Sequence, residues 1–256
     1  MDLGISGKNV FISGGSHGIG LATAIALSKE GCNIVICSRS ESKLSSACKL
    51  IEESGVKCLS IVADVMKDSD VQNAIDQSII KLGRIDILVN NVGGGGRWGQ
   101  DFLTTEIKTW KEVFHKNVWV SLQFTQGFLP GMVNNKWGRV IFVSSRNGVQ
   151  IGGKPWFNIA KSSQLVLMKN LSTDINFARS GVTFNAVAPG DLMIEGTGWD
   201  ELKKNTMFKE MIEEYPMGRL GTADEVACAI SFLCSQQASY ISGTTIQIDG
   251  GKSINI

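Results

Sequence analysis

The segment Ser13-Gly14-Gly15-Ser16-His17-Gly18-Ile19-Gly20 sets glycines at 14, 18 and 20, a spacing suited to holding phosphate. The first of them permits a tight turn, the second a close approach of backbone to a pyrophosphate, and the third a close helix–strand contact. A helix starting within the segment would turn its unsatisfied N–H groups and positive dipole end toward the anion. Metal chemistry has no comparable signal. The cysteines (Cys32, Cys37, Cys48, Cys58, Cys228, Cys234) form no C-x-x-C pair, and the histidines are His17 and His115 alone. We expect no metal site, and read the cysteines as free thiols of a reducing cytoplasm.

Glycine spacing means little unless the surrounding elements put it at a strand–helix junction. Short apolar runs alternate with longer amphipathic segments along the chain, which predicts repeated βαβ units and a parallel sheet. Strands are predicted at 9–13, 33–37, 58–62, 85–89, 140–143 and 182–186, with 246–248 as a last, edge strand. Helices are predicted at 21–29, closed by Gly31, at 41–54, ending at Gly55, and at 68–82. The strand runs are continuously apolar rather than alternating, as in strands covered on both faces. The expected fold is therefore α/β: a Rossmann-type doubly wound parallel sheet in three α/β/α layers. The glycine segment falls at its first βα junction.

No proline cluster or polar linker divides the 256 residues, and no internal repeat is present, so one domain, 1–256, is expected. Two segments break the pattern. Residues 92–99 (VGGGGRWG) form a glycine-rich loop after the fourth strand, and 191–215 form a polar, aromatic-containing insertion, expected to be a substrate lid. Composition is 43% apolar and 19% charged with a net charge of +1. That balance argues against nucleic acid or an anionic membrane as partner. No stretch approaches the ~20 apolar residues that span a bilayer, and residues 1–10 lack the basic-then-apolar pattern of a leader. A soluble, cytoplasmic protein is expected.

Taken with its flanking motifs, the chain resembles the short-chain dehydrogenase/reductase family over essentially its whole length. The resemblance rests on the G-x-x-x-G-x-G loop at Gly14, Gly18 and Gly20, on Asn90-Asn91-Val92-Gly93, on Pro189-Gly190 after a strand, and on Ile248-Asp249-Gly250-Gly251 near the C-terminus. It implies a nicotinamide dinucleotide held by Gly14, Ser16, His17, Gly18, Ile19 and Gly20. Asp64 and Val65 would border the adenine, Asn90 the adenosine ribose, and Pro189 and Gly190 the nicotinamide, with Val92 and Gly93 also binding the cofactor. At the tip of the second strand, where an acid would accept from NAD ribose hydroxyls, the sequence is Ser38-Arg39-Ser40. A guanidinium between two hydroxyls suits a 2′-phosphate, and the cofactor expected is NADP(H). A solvated loop arginine is the alternative. Ile194 stands where the family often has a threonine that contacts the cofactor.

The family interconverts carbonyls and alcohols with an asparagine, a serine, a tyrosine and a lysine. The resemblance assigns the asparagine to Asn117, the serine to Ser145 (Ser144 being a weaker candidate) and the lysine to Lys161, which also binds the nicotinamide ribose. Phe157 stands four residues before the lysine, where the tyrosine belongs. A phenyl ring exchanges no proton, and the tyrosines, Tyr215 and Tyr240, lie far along the chain. Three explanations stay open: another acid, such as water relayed through Ser145 and Lys161 or a substrate hydroxyl; a catalytically silent NADP-binding scaffold or regulator; or a Tyr→Phe change introduced to trap a complex. Trp98, Trp156 and Trp199 with Arg97, Arg146 and Lys154 would suit a sugar, or would pack the lid or a subunit interface instead. The resemblance also implies a small-molecule carbonyl/alcohol substrate and a homodimer or homotetramer, paired through helices at 104–124 and 157–178. Trp110, Phe114, Leu165 and Leu167 on those helices would serve interface or core.

Overall fold

The structure, a computed structural model, describes residues 2–95, 101–196 and 206–255. Its centre is a parallel sheet built from β1 (Asn9–Ser13), β2 (Asn33–Ser38), β3 (Cys58–Val62), β4 (Ile87–Asn90), β5 (Gly138–Val143), β6 (Val182–Pro189) and β7 (Thr245–Ile248). Among the described residues the strand order is β3-β2-β1-β4-β5-β6-β7, every pair parallel. This is the expected doubly wound Rossmann-type sheet. The order reverses between β1 and β4, and in such sheets ligands bind outside the strands' carboxyl ends at the reversal.

Helices cover both faces because successive strand residues point to opposite sides. On one face Phe11, Leu88, Val140 and Phe142 pack against Val71, Ala74 and Ile75 of α3 (Asp68–Leu82), Phe124 and Phe128 of α5 (Val120–Asn134) and Met168 of α7 (Pro155–Thr173). On the other, Val10, Ile12, Ile36, Val89 and Ile141 meet Ala24 and Leu27 of α1 (Gly18–Lys29) and Leu44 and Ala47 of α2 (Glu41–Glu52). They also meet Val226 and Ile230 of a C-terminal helix, Ala223–Cys234. Thr222 and Glu225 close a reciprocal capping box at the start of that helix, and Arg219 grips Glu225 with both guanidinium nitrogens.

Several boundaries differ from expectation. The predicted 104–124 helix is two helices joined by a wider turn: α4 (Ile107–Phe114) passes through a π-helical turn, His115–Trp119, into α5, which continues through Pro130. The predicted 157–178 helix stops at Thr173, because the Asp174 carboxylate accepts from the Asn176 amide and starts a new short helix, α8 (Ile175–Arg179). Another short helix, α6 (Arg146–Val149), precedes α7. α9 (Thr206–Glu213) lies in the insertion and the capped C-terminal helix is α10. β4 starts two residues later than predicted, since the Asp86 carboxylate is taken by the Asn9 amide and Arg84. The reading of all cysteines as free thiols is corrected at one pair: Cys48 of α2 and Cys58 of β3 are joined as a disulfide, Cα atoms 5.5 Å apart. Cys32, Cys37 and Cys234 remain buried thiols and Cys228 an exposed one. No described helix is long and apolar enough to cross a membrane.

Candidate active site

The glycine segment lies at the sheet's reversal, where the predicted strand–helix junction puts it. Gly14 and Gly18 have φ of +70° and +57°, a region side chains disfavour. Gly20 answers to contact instead, since a Cβ there would stand 2.3 Å from the Gly14 carbonyl oxygen. Asn91 locks the loop by donating to the carbonyls of Ser13 (2.8 Å) and Gly14 (3.2 Å). Ser13 Oγ accepts in return from the amides of Asn91 and Val92. His17, extended at φ −162°, precedes α1 without a capping side chain, and the first turn carries no acid. The opening amides of α1 therefore keep their capacity for an anion. Ile19 follows in that first turn, and Ser16 lines, with His17 and Lys43, a cavity of about 260 Å³ between α1 and α2.

The tip of β2 lies beside this loop, Gly14 N donating to the Cys37 carbonyl. Ser38 Oγ is buried there without a partner, Arg39 is exposed, and Ser40 caps α2 by accepting from the Lys43 amide. The sequence reading missed Lys116. The π turn carries it close enough to Arg39 and Asp64 that burial, first, and the Arg39 charge, second, lower its pKa, Asp64 opposing. Asp64 itself is fixed at the β3 exit by Met66 N on its carboxylate, with Val65 buried behind. Asn90 is buried and donates to Thr125 Oγ1 of α5, while its own oxygen lacks a partner.

At the β4 and β5 ends the residues singled out for catalysis converge. Asn117 donates to the carbonyls of Val113 (2.7 Å) and Gly94 (3.0 Å) and accepts from Gly94 N (3.2 Å), clamping the loop after β4 to the π turn. Gly93 leaves the space: a Cβ there would lie 2.6 Å from Asn117 Oδ1 and 2.8 Å from Lys161 Nζ. Lys161, 4% exposed, donates to the Val143 carbonyl at 2.8 Å and to Gln164 Oε1 at 2.9 Å. Burial, then the nearby Lys116 charge, pull its pKa down to about 7. The Phe157 ring lies with its centroid 5.8 Å from the same ammonium. The two serines separate cleanly. Ser144 Oγ is committed to the Lys161 carbonyl, whereas Ser145 Oγ starts α6 by accepting from Asn147 N. Ser145 thus keeps its hydroxyl hydrogen for another partner.

The segment after β6 closes over this cleft. Gly190 is required because a Cβ would meet Asp249 at 2.8 Å, and Pro189 ends the strand against Ile248. Asp249 accepts from the amides of Gly251 and Ser253, which accounts for the C-terminal motif. Ile194 packs above Gly18, its Cδ1 3.4 Å from the place of the missing Cβ, and His17 Nε2 lies 2.8 Å from the Glu195 carbonyl. Asp191 accepts from the Tyr215 hydroxyl (2.5 Å) and pairs with Arg146 (3.2 Å). Burial and that carboxylate push the Tyr215 hydroxyl above its ordinary pKa. Tyr215, remote in sequence, is therefore beside the residue that follows Ser145. Trp156 is 1% exposed, donates to the Gly95 carbonyl and meets Trp110 edge-on, and with Trp110, Phe114 and Trp119 it lines a cavity of about 420 Å³. Arg97, Trp98 and Trp199, with part of the 191–215 insertion, lie outside the described residues.

A family model described as Enoyl-(Acyl carrier protein) reductase matches residues 14–253. Glucose 1-dehydrogenase 2 of Bacillus subtilis (strain 168) is 30% identical over 252 residues, covering 98% of this chain and 96% of the relative. The 3-oxoacyl-(acyl-carrier-protein) reductase FabG of Aquifex aeolicus (strain VF5) is 31% identical over 255 residues, covering 98% and 99%. Among solved structures, L-sorbose reductase from Gluconobacter frateurii complexed with NADPH and L-sorbose superposes with a TM-score of 0.93 at 29% identity, covering 100% of both chains. Sheet order and these relatives together define the class as an oxidoreductase with a Rossmann-type fold. The chain belongs to the short-chain dehydrogenase/reductase family.

Proposed function

We propose that this chain is an NADP(H)-dependent oxidoreductase that interconverts a carbonyl and a secondary alcohol on a small polar substrate, with a sugar as the favoured class. The observation that carries the reading is the convergence, at one sheet reversal, of an uncapped helix start, a cationic β2 tip and a buried lysine. Gly14, Ser16, His17, Gly18, Ile19 and Gly20 would hold the pyrophosphate, and Ser38, Arg39 and Ser40 the 2′-phosphate. The partnerless Ser38 hydroxyl and the Arg39–Lys116 proximity fit that group. Asp64, Val65, Asn90, Val92 and Gly93 would line the adenosine half, and Pro189, Gly190 and Lys161 the nicotinamide half. When bound, the nicotinamide supplies or accepts the hydride.

The chain's own residues handle the oxygen and the proton. Ser145 donates its hydroxyl hydrogen to the substrate oxygen. Lys161, with a pKa of about 7, is poised to hold or release a proton at Nζ near neutral pH. Asn117 holds the Gly93–Gly94 loop in place beside that ammonium. Phe157 occupies the position that the resemblance gives to tyrosine and serves as a wall. Arg146, Asp191 and Tyr215 offer a guanidinium, a carboxylate and a phenol to a hydroxylated substrate under the 191–215 lid. The liganded neighbour, an L-sorbose reductase, supports the sugar class.

We further propose a single 1–256 domain that pairs as a homodimer or homotetramer across α4, the π turn and α7. Exposed Ile107, Phe114, Trp119, Ile159 and Val166 support that face, whereas Leu165 and Leu167 turn into the core. A cytoplasmic location belongs to the same reading.

The absence of an ionisable group on Phe157 favours a second reading, an NADP-binding protein without turnover. Decay of NADPH absorbance with a panel of ketones and keto-sugars separates the two. Turnover by the chain as it stands supports the first reading. Turnover confined to Phe157→Tyr overturns it in favour of the second.

A further inference from the structure

We propose that Gln164 is the positioning residue of this site: its side-chain amide bridges Lys161 Nζ to the main-chain carbonyl of Asn117 and so fixes the direction in which Lys161 is offered to the cleft. The proposal rests on the reading of Lys161 as the cofactor-side residue, and it adds a residue that no family motif marked. Gln164 is fully buried, one helical turn after Lys161 on the same face of α7. Its Oε1 accepts from Lys161 Nζ at 2.9 Å, while its Nε2 donates to the Asn117 carbonyl at 2.7 Å and meets Ser121 Oγ at 3.0 Å.

These partners define which end of the amide is which. Turned over, the amide would set its oxygen against the Asn117 carbonyl oxygen and its NH2 against an ammonium, losing both bonds. The Asn117 carbonyl also accepts from Ser121 Oγ at 2.8 Å, so the bridge belongs to a closed network. Two directions at Nζ are consumed by Val143 and Gln164. The remaining one faces the space that Gly93 leaves open. An amide neither gains nor loses a proton in the ordinary pH range, so this bridge orients the lysine without relaying charge away from it.

Around Nζ the facing groups are the Val143 carbonyl of β5, the Gln164 amide of α7, the Phe157 ring, the Gly93 backbone and Lys116 on the π turn, whose charge opposes protonation. Removing the amide oxygen takes away an acceptor that favours the ammonium. Replacing it with a carboxylate adds an opposite charge, an effect of about 1–3 pKa units.

The test is a titration of Lys161 in the ligand-free full chain by NMR of 13C-labelled lysine side chains, with Lys161→Met assigning the resonance. Relative to the wild type, we expect the midpoint to fall in Gln164→Met and to rise by about a unit or more in Gln164→Glu. A midpoint unmoved in the folded variants overturns the proposal, because a merely structural glutamine would alter melting and leave the lysine alone. Should Gln164→Met fail to fold, the isosteric Gln164→Glu decides. Within the wild type alone, the Gln164 side-chain NH2 protons must resolve as two slowly exchanging signals, and rapid exchange equally overturns the bridge. NADPH titration of the same variants separates this inference from the cofactor reading. About tenfold weaker binding in Gln164→Met supports both, corresponding to one lost hydrogen bond near 1.4 kcal/mol. No wild-type binding sinks the cofactor reading while the lysine titration still judges Gln164.

Discussion

Lys161 of α7 donates its buried ammonium to the Val143 carbonyl at the end of β5, a 2.8 Å contact that ties a helix to the carboxyl edge of the sheet. The lysine is held by neutral acceptors rather than by a carboxylate, so nothing of opposite charge offsets its desolvation.

The first prediction concerns pH and stability. Burial lowers the folded-state pKa of Lys161 from 10.5 to about 7. Between those values the unfolded chain binds the proton and the native chain does not, so unfolding free energy rises with pH across the window. Below it, the cost of the buried charge is present in full. Melting temperature should therefore climb from about pH 7 to pH 9 more steeply in the wild type than in Lys161→Met. Parallel melting curves for the two proteins would contradict the assignment.

A second prediction addresses the glycine loop. In Gly20→Ala the new methyl meets the Gly14 carbonyl, which is backbone, and Asn91 Nδ2, which is pinned by its bonds to the Ser13 and Gly14 carbonyls. The loop must shift, and we expect a loss on the order of 2 kcal/mol in chemical denaturation together with loss of coenzyme affinity. Unchanged values for both would show that the turn is not closed by that contact.

Arg39 gives the third. Arg39→Glu places a carboxylate at the β2 tip, repelling a 2′-phosphate and offering an acceptor to ribose hydroxyls. NADPH binding should weaken about tenfold or more while NADH binding holds or improves, as read by titrating each coenzyme's fluorescence. Equal losses for both coenzymes would remove Arg39 from phosphate recognition.

Remote from the site, Thr222→Ala should cost about 1 kcal/mol through loss of the α10 cap and leave coenzyme affinity unchanged. Denaturation and titration on one sample check both halves.

Much of the fold is legible in the sequence because glycines punctuate it. The predicted bounds of β1, β3 and α3 match the structure, each an apolar or amphipathic run between clear breaks. β6 runs past the expected Ala186 to Pro189, since Val187 and Ala188 continue the ladder to β7. What sequence could not show depends on contacts between distant elements. Lys116 turns toward Arg39 through a π turn that a regular helix pattern hides. Gln164 looks like any polar helix residue until Asn117 and Lys161 flank it; its one local signal is the spacing of three from Lys161. Tyr215 reaches Asp191 only because the segment after β6 folds back along Gly221. The Cys48–Cys58 pairing likewise needs β3 to return beside α2.

Isothermal titration of the wild-type chain with NADPH and, separately, NADH tests the central claim most directly. Saturable binding of NADPH, about tenfold or more tighter than NADH, is the result predicted. Absence of heat with either nucleotide at about millimolar concentration, where even an affinity near 4 kcal/mol would register, would contradict it.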